Sequence, residues 1–315
     1  MTSITKPQHQ PITQKVTLFS QVKLEHLVAG ISGGVTSTLI LHPLDVIKIR
    51  FAVNDGRLQT IPKYNGIINA FTKIYRQEGF RGLYQGVTPN VWGAGASWGL
   101  YFMFYNSLKN WFKEGNANTN LGASTHLMLA SGSGLITLFI TNPLWVAKTR
   151  LCLQYSGQRN YNGMVDCFVK IYKADGVKGY YKGILPGIFG VSHGAVQFMV
   201  YEEMKKDYCQ YYSQPLTTKL GTLEYLTFAA ISKLIAAATT YPYQVIRARL
   251  QNQHYSYNGV VDCVRQTWGY EGWRGFYKGL GTNLVRVTPA TMITFVTYEN
   301  VSHWLLKYSE QKLVN

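Results

Sequence analysis

The chain has 315 residues, with 31 Lys and Arg against 15 Asp and Glu, a formal charge of +16, and 14% aromatic residues including 23 tyrosines. A surplus of that size points to an anionic partner: nucleic acid, a membrane surface or an anionic solute. No nucleic-acid motif or basic tail accompanies it, which argues against the first. The four cysteines, at 152, 167, 209 and 263, show neither C-x-x-C nor a metal-ligand spacing. Paired catalytic carboxylates and a nucleophile elbow are also lacking, so neither a metal centre nor an enzyme is expected.

Residues 1–22 are polar, hold Lys6 and Lys15 and no acid, and lack the apolar core of a secretory signal. Any organelle address is therefore expected to be internal. The mean hydropathy of −0.07 looks soluble, but the local pattern does not. A first helix is predicted over about 22–52, with Gly30-x-x-x-Gly34 for close helix approach and a kink at Pro43. A short amphipathic helix follows Tyr64-Asn65-Gly66, over about 66–77, with Ile67, Ala70, Phe71 and Ile74 on one face. That pattern suits a helix lying in a membrane interface, and its N-terminus beside glycine suits anionic lipid. Glu78-Gly79 and Tyr84-Gln85-Gly86 lead into Val87–Leu108, which carries no charge. Leu127–Ala147 is likewise uncharged, and three further stretches are apolar with single interruptions: 183–201 with His193, 226–246 with Lys233, and 280–298 with Arg286. Together with 24–44 these make six segments, each long enough to span a bilayer as a helix of roughly 20 residues.

The elements recur. Pro43-Leu44-Asp45-Val46-Ile47-Lys48-Ile49-Arg50 returns as Pro143-Leu144-Trp145-Val146-Ala147-Lys148-Thr149-Arg150, and as Pro242-Tyr243-Gln244-Val245-Ile246-Arg247-Ala248-Arg249. Tyr-Asn-Gly returns at 161–163 and 257–259, acid-Gly at 175–176 and 271–272, and Tyr-x-Gly at 181–183 and 277–279. A fixed period of that size means one structural unit built three times, over 22–115, 122–213 and 222–308, in a single domain. Nineteen of the 31 basic residues lie within 48–82, 148–182 and 247–278. Three equivalent basic loops on one side of a membrane require two spans per repeat, with both termini on the other side.

The triplicated Pro-x-(acid)-x-x-(base)-x-(base), followed by acid-Gly and aromatic-x-Gly, resembles the signature of the mitochondrial carrier family. The resemblance covers about residues 22–308. It implies an all-α membrane protein with six transmembrane helices in three pseudo-threefold repeats, three short matrix helices and a central cavity. It implies alternating access to a solute across the mitochondrial inner membrane, with termini on the cytosolic side, a monomer, anionic lipid such as cardiolipin as partner, and no cofactor. Trp145 stands where most carriers have an acid. This resembles the branch carrying folate, FAD, NAD and pyrimidine nucleotides. Ser97-Trp98-Gly99-Leu100-Tyr101-Phe102, Val191-Ser192-His193-Gly194-Ala195, Tyr241-Pro242-Tyr243-Gln244-Val245 and Arg286-Val287-Thr288-Pro289-Ala290 resemble its folate and FAD carriers. FAD and/or folate is thus the implied transported substrate, with an NAD or pyrimidine-nucleotide carrier as the alternative and a non-transporting scaffold as a remote one.

The resemblance also assigns sites. At the matrix gate Asp45 would pair with Lys148, Gln244 would hydrogen-bond Lys48, and Trp145 could not pair with Arg247. At the cytoplasmic gate Glu299 would pair with Lys109, Asn106 would meet Lys205, and Glu202 would meet Ser302. The implied substrate contacts are Gly93, Phe189-Gly190 and Arg286, with His193 one turn beyond Phe189. Lys233 lies 11 residues before Gln244, about three helical turns, so it shares that residue's face. Charges inside a membrane span are functional candidates in their own right. Gly93 and Gly95 would leave space for a flat ring; no strand precedes them, so they are not a dinucleotide loop.

Overall fold

A computed structural model describes residues 24–57, 61–113, 122–157, 159–215 and 221–314. The polar stretch 1–22, with its predicted lack of a secretory signal, lies outside them. Among the described residues there is no strand. The first repeat comprises α1 (Leu24–Val53), α2 (Ile67–Leu83) and α3 (Val87–Phe112). The second comprises α4 (Ala123–Cys152), α5 (Met164–Tyr180), α6 (Ile184–Phe189) and α7 (Ser192–Tyr211). The third comprises α8 (Thr222–Thr239), α9 (Tyr241–Gln251), α10 (Val260–Glu271), a 3₁₀ turn over Gly272–Tyr277, and α11 (Leu280–Val314). The long stretches α1, α3, α4, α6–α7, α8–α9 and α11 form the bundle, and α2, α5 and α10 lie across one end.

The prolines do not act alike. α1 and α4 run on through Pro43 and Pro143, whereas α8 stops before Pro242, which opens α9. At that break Thr240 Oγ1 donates to the Ala236 carbonyl at 2.6 Å, which also accepts the Thr240 backbone N–H at 3.0 Å. The fourth span is also interrupted, between Phe189 and Ser192.

Each even span packs on an odd span of the next repeat: α3 on α4, α7 on α8, and α11 on α1. The proline-bearing ends of α1, α4 and α9 converge. Glycine makes this convergence possible. Gly86, Gly183 and Gly279 have φ of 78°, 75° and 86°, where a side chain is strained. A Cβ there would lie 2.9 Å from the Lys148 carbonyl, 3.0 Å from the Arg247 carbonyl and 2.9 Å from the Lys48 carbonyl. Each even span therefore begins in contact with the backbone of the next odd one.

The bundle is apolar outside and polar within. Ile31, Trp92, Phe139, Phe198, Met199 and Phe295 are exposed, while Asn90, Thr137, Thr141, Asn142, Ser232 and Asn283 are buried. That distribution suits hydrocarbon around the molecule, not water. Ser124–Cys152 and Ile184–Tyr211 are long and apolar enough to span on hydropathy alone, with means of 1.4 and 1.3; polar inward faces dilute the others.

The short helices break close to where their amphipathic pattern ends. Gly79 and Gly176, at non-helical φ of 70° and 63°, kink α2 and α5 before a last short turn, and Gly272 at φ 62° ends α10. Ala70 and Ile74 pack on Val46 and Ile47, and Cys167 and Ile171 on Val146 and Ala147. Phe71, expected on the same face as Ala70 and Ile74, is exposed instead. All four cysteines are buried and free.

Candidate functional site

The converging ends are tied by three buried arginines. Arg50 makes two hydrogen bonds to the Glu78 carboxylate, at 2.5 and 2.7 Å, and reaches the Cys152 and Gln154 carbonyls of the next repeat. Arg150 pairs with Asp175 at 2.7 Å and approaches the Gln251 carbonyl at 3.4 Å. Arg249 pairs with Glu271 and donates to the Ala52 carbonyl at 3.0 Å. Each repeat's second signature base thus meets its own acid-Gly acid and grips the following repeat's backbone. Sequence reading singled out both motifs but did not join them; their identical order in three copies was the available signal. The glycine after each acid supplies the turn that aims the carboxylate inward.

Above this layer lies the group of gate residues. Asp45 Oδ2 is 3.1 Å from Lys148 Nζ and accepts from Asn90 Nδ2 at 3.1 Å. Its Oδ1 is 2.9 Å from Arg286 Nε, an ion pair without hydrogen-bond alignment. One carboxylate therefore serves two cations from two other spans. Lys48 Nζ donates to Gln244 Oε1 and Asn283 Oδ1, both at 2.8 Å. Asn90 and Asn283 were not anticipated. Each stands four residues after Gly86 or Gly279, at matching places in their repeats; the second repeat has Gly187 there.

The third base differs. Trp145 occupies the acid's place, with Lys148 Nζ 5.4 Å from its ring centroid. Arg247 Nη2 donates to Asn142 Oδ1 at 3.1 Å, and its buried Nε has no partner. Arg247 faces a recess of about 230 Å³ lined also by Ser97, Thr137, Trp145, Gly187, Gly190 and Tyr243.

The remaining candidates are not gathered at one point. Lys233 Nζ bonds Thr291 Oγ1 on α11 at 3.2 Å, and His193 Nδ1 lies 3.0 Å from the Thr240 hydroxyl. Gly93 does not open space for a ring: it is buried, and a Cβ there would sit 3.6 Å from Leu144 and Trp145, because α3 leans on α4. Gly95 has nothing within 4 Å. Gly190 is pressed against the Tyr243 ring, while Phe189 is 67% exposed. At the opposite end Asn106, Glu202 and Glu299 are exposed, and Lys109 and Lys205 are part-exposed. Among the described residues no ion pair joins Glu299 to Lys109 or Glu202 to either lysine. The expected Glu299–Lys109 pair is thus open here. It lies at the far end of helices whose proline-bearing ends are closed, and one rigid helix does not close both ends at once.

Residues 21–116, 119–212 and 218–309 each match the family model described as mitochondrial carrier protein. The chain belongs to the mitochondrial carrier family. It is 41% identical over 301 residues to the folate transporter 1, chloroplastic, of Arabidopsis thaliana, covering 91% of this chain and 97% of that one. It is 37% identical to the nicotinamide adenine dinucleotide transporter 1, chloroplastic, of the same plant, covering 91% and 94%. It is 30% identical to the mitochondrial FAD carrier protein of Saccharomyces cerevisiae, covering 89% and 97%. Carriers of this family move solutes and do not work through a bound cofactor. In this carrier the Asp45 cluster draws on α1, α4 and α11 together.

Proposed function

We propose that this carrier moves FAD or folate across the mitochondrial inner membrane by alternating access. The observation that carries the reading is the excess of inward cations. Arg286 and Lys148 pair with Asp45, while Lys48, Arg247 and Lys233 have only neutral hydrogen-bond partners among the described residues. Such an excess favours a multiply anionic solute, and both molecules join anionic groups to a flat heteroaromatic ring. Arg286 suits a phosphate or carboxylate through its planar donors, and Lys233 acts as a point charge. When solute reaches Arg286, it competes with Asp45 for that guanidinium and so loosens the cluster. Binding is thereby linked to opening.

The three basic loops support a matrix-side position for the converging ends. Asp45, Lys48, Lys148, Gln244, Trp145 and Arg247 are then the matrix gate, closed in this conformation. Asn106, Lys109, Glu202, Lys205 and Glu299 are the cytoplasmic gate, open in it. The free backbone N–H groups at the N-termini of α2, α5 and α10, each beside a glycine, suit anionic lipid such as cardiolipin, and the carrier works as a monomer. Likeness to the NAD transporter supports a second reading, NAD, which is also a dinucleotide. The test is uptake of FAD, 5-formyltetrahydrofolate, NAD and a pyrimidine nucleotide into proteoliposomes, with and without internal counter-substrate. Uptake of FAD or the folate above the others is expected. Selective NAD uptake would replace the reading, and no uptake of any would end it.

A further inference from the structure

Three buried polar atoms without hydrogen-bond partners line one recess: Ser97 Oγ on α3, Thr137 Oγ1 on α4 and Arg247 Nε on α9. Helical hydroxyls in a dry interior ordinarily bond back to a carbonyl one turn earlier. The neighbours on α4 do so: Ser133 to Leu129 at 2.6 Å, Thr141 to Thr137 at 2.8 Å, and Thr149 to Trp145 at 3.0 Å. Thr137, 5% exposed, does not. Buried polar groups left unpaired in this way call for a ligand or water to meet them. The recess, at about 230 Å³, exceeds the roughly 30 Å³ share of a single water several times over.

The repeat comparison shows why the recess exists. Lys148 has Asp45, and Lys48 has Gln244 and Asn283. Arg247 reaches only the Asn142 amide through Nη2, because Trp145 stands in the acid's place and Gly187 in the asparagine's, and its Nε is left without a partner. A Cβ at Gly187 would lie 3.5 Å from the Arg247 guanidinium carbon. The missing side chain is therefore what keeps the recess open beside the cation. Trp145 and Tyr243 supply flat apolar walls.

We propose that this recess is a second solute station, distinct from Arg286, that takes an aromatic anion. Arg247 holds a phosphate or carboxylate, the Ser97 and Thr137 hydroxyls donate to its oxygens, and the ring lies against Trp145 and Tyr243. The proposal rests on the carrier reading above only in taking the natural ligand to be the anionic aromatic solute.

The test uses the purified full chain and phenyl phosphate as probe, with phenol and inorganic phosphate as controls, read by thermal unfolding and tryptophan fluorescence. Phenyl phosphate is expected to stabilise the wild type more than either control. Its dissociation constant is expected to rise at least tenfold in Arg247→Gln and in Gly187→Asn, and at least threefold in Ser97→Ala/Thr137→Val, with Arg247→Lys retaining part of the binding. The hydroxyl double variant should unfold at the wild-type temperature without ligand, which keeps the test sound if Arg247→Gln fails to fold. Three results overturn the station: no effect of phenyl phosphate, which means water only; equal effects of phosphate, which means an adventitious ion only; or dissociation constants within twofold across the variants. The two readings separate cleanly. Variant-sensitive phenyl phosphate binding without FAD, folate or NAD uptake keeps the station and removes the substrate reading. Normal uptake with variant-insensitive binding does the reverse.

Discussion

Replacing Asp45 by Asn keeps the shape of the gate and removes its charge. The carboxylate is 8% exposed, and it faces Lys148, 13% exposed, and Arg286, 29% exposed. Losing one partner of a fully buried pair costs about 3–5 kcal/mol, because the other charge is left uncompensated. Partial exposure of both cations reduces this, so about 2–3 kcal/mol is the expected loss to the closed form. At 1.4 kcal/mol per tenfold change, the closed-to-open ratio should fall roughly 30- to 140-fold. The assay is maleimide labelling of an introduced Thr291→Cys, which lies beside Lys233, from the matrix face of oriented vesicles. The four native cysteines are buried and give a low background. Labelling should accelerate by that factor in Asp45→Asn, and uptake kinetics should change with it. Unchanged labelling and unchanged uptake would show that this cluster does not govern closure.

Arg286→Ala is expected to abolish uptake, with Arg286→Lys retaining part of it; normal uptake by a correctly inserted Arg286→Ala protein would falsify its assignment to the solute. Glu78→Gln leaves Arg50 buried without its acid, so unfolding stability in detergent should drop by about 3–5 kcal/mol. Gly86→Ala should cost about 1–2 kcal/mol for the backbone alone and more for the Cβ held 2.9 Å from the Lys148 carbonyl; an unfolding temperature equal to wild type would contradict the packing described. Acid sensitivity should involve Asp55 and Asp175, which lie at the converging end, outside the spans. Burial works against their ionisation, but Tyr255 and Arg57 at Asp55, and Arg150 and Lys182 at Asp175, outweigh it and hold both carboxyls below 3.8. A depressed carboxyl contributes stability above its unfolded value that is lost as pH falls through its folded one. The unfolding temperature should therefore be insensitive to these groups from pH 7 to about 5 and fall below about 4. Asp55→Asn should flatten that fall.

The architecture was legible in the chain because its signals are local and repeated. Pro-x-(acid)-x-x-(base)-x-(base), acid-Gly and aromatic-x-Gly each recur at one period, and apolar runs with single charges mark spans regardless of neighbours. The residue types at the converging ends followed as well, including Trp145 in the acid's place. What only the tertiary structure decided is which groups meet. Asp45 serves both Lys148 and Arg286, because α4 and α11 bring their cations to the same carboxylate from either side. Asn90 and Asn283 join the cluster only because α3 and α11 begin against the next odd helix. Gly93 is covered by Leu144 and Trp145, while Gly187, which drew no notice in sequence, holds a recess open beside Arg247. Glu299 and Lys109 are apart because closure at one end of a rigid helix separates the other. Spacing along one helix sets the face a residue occupies; the approach of a second helix, determined by packing over the whole bundle, sets its partner.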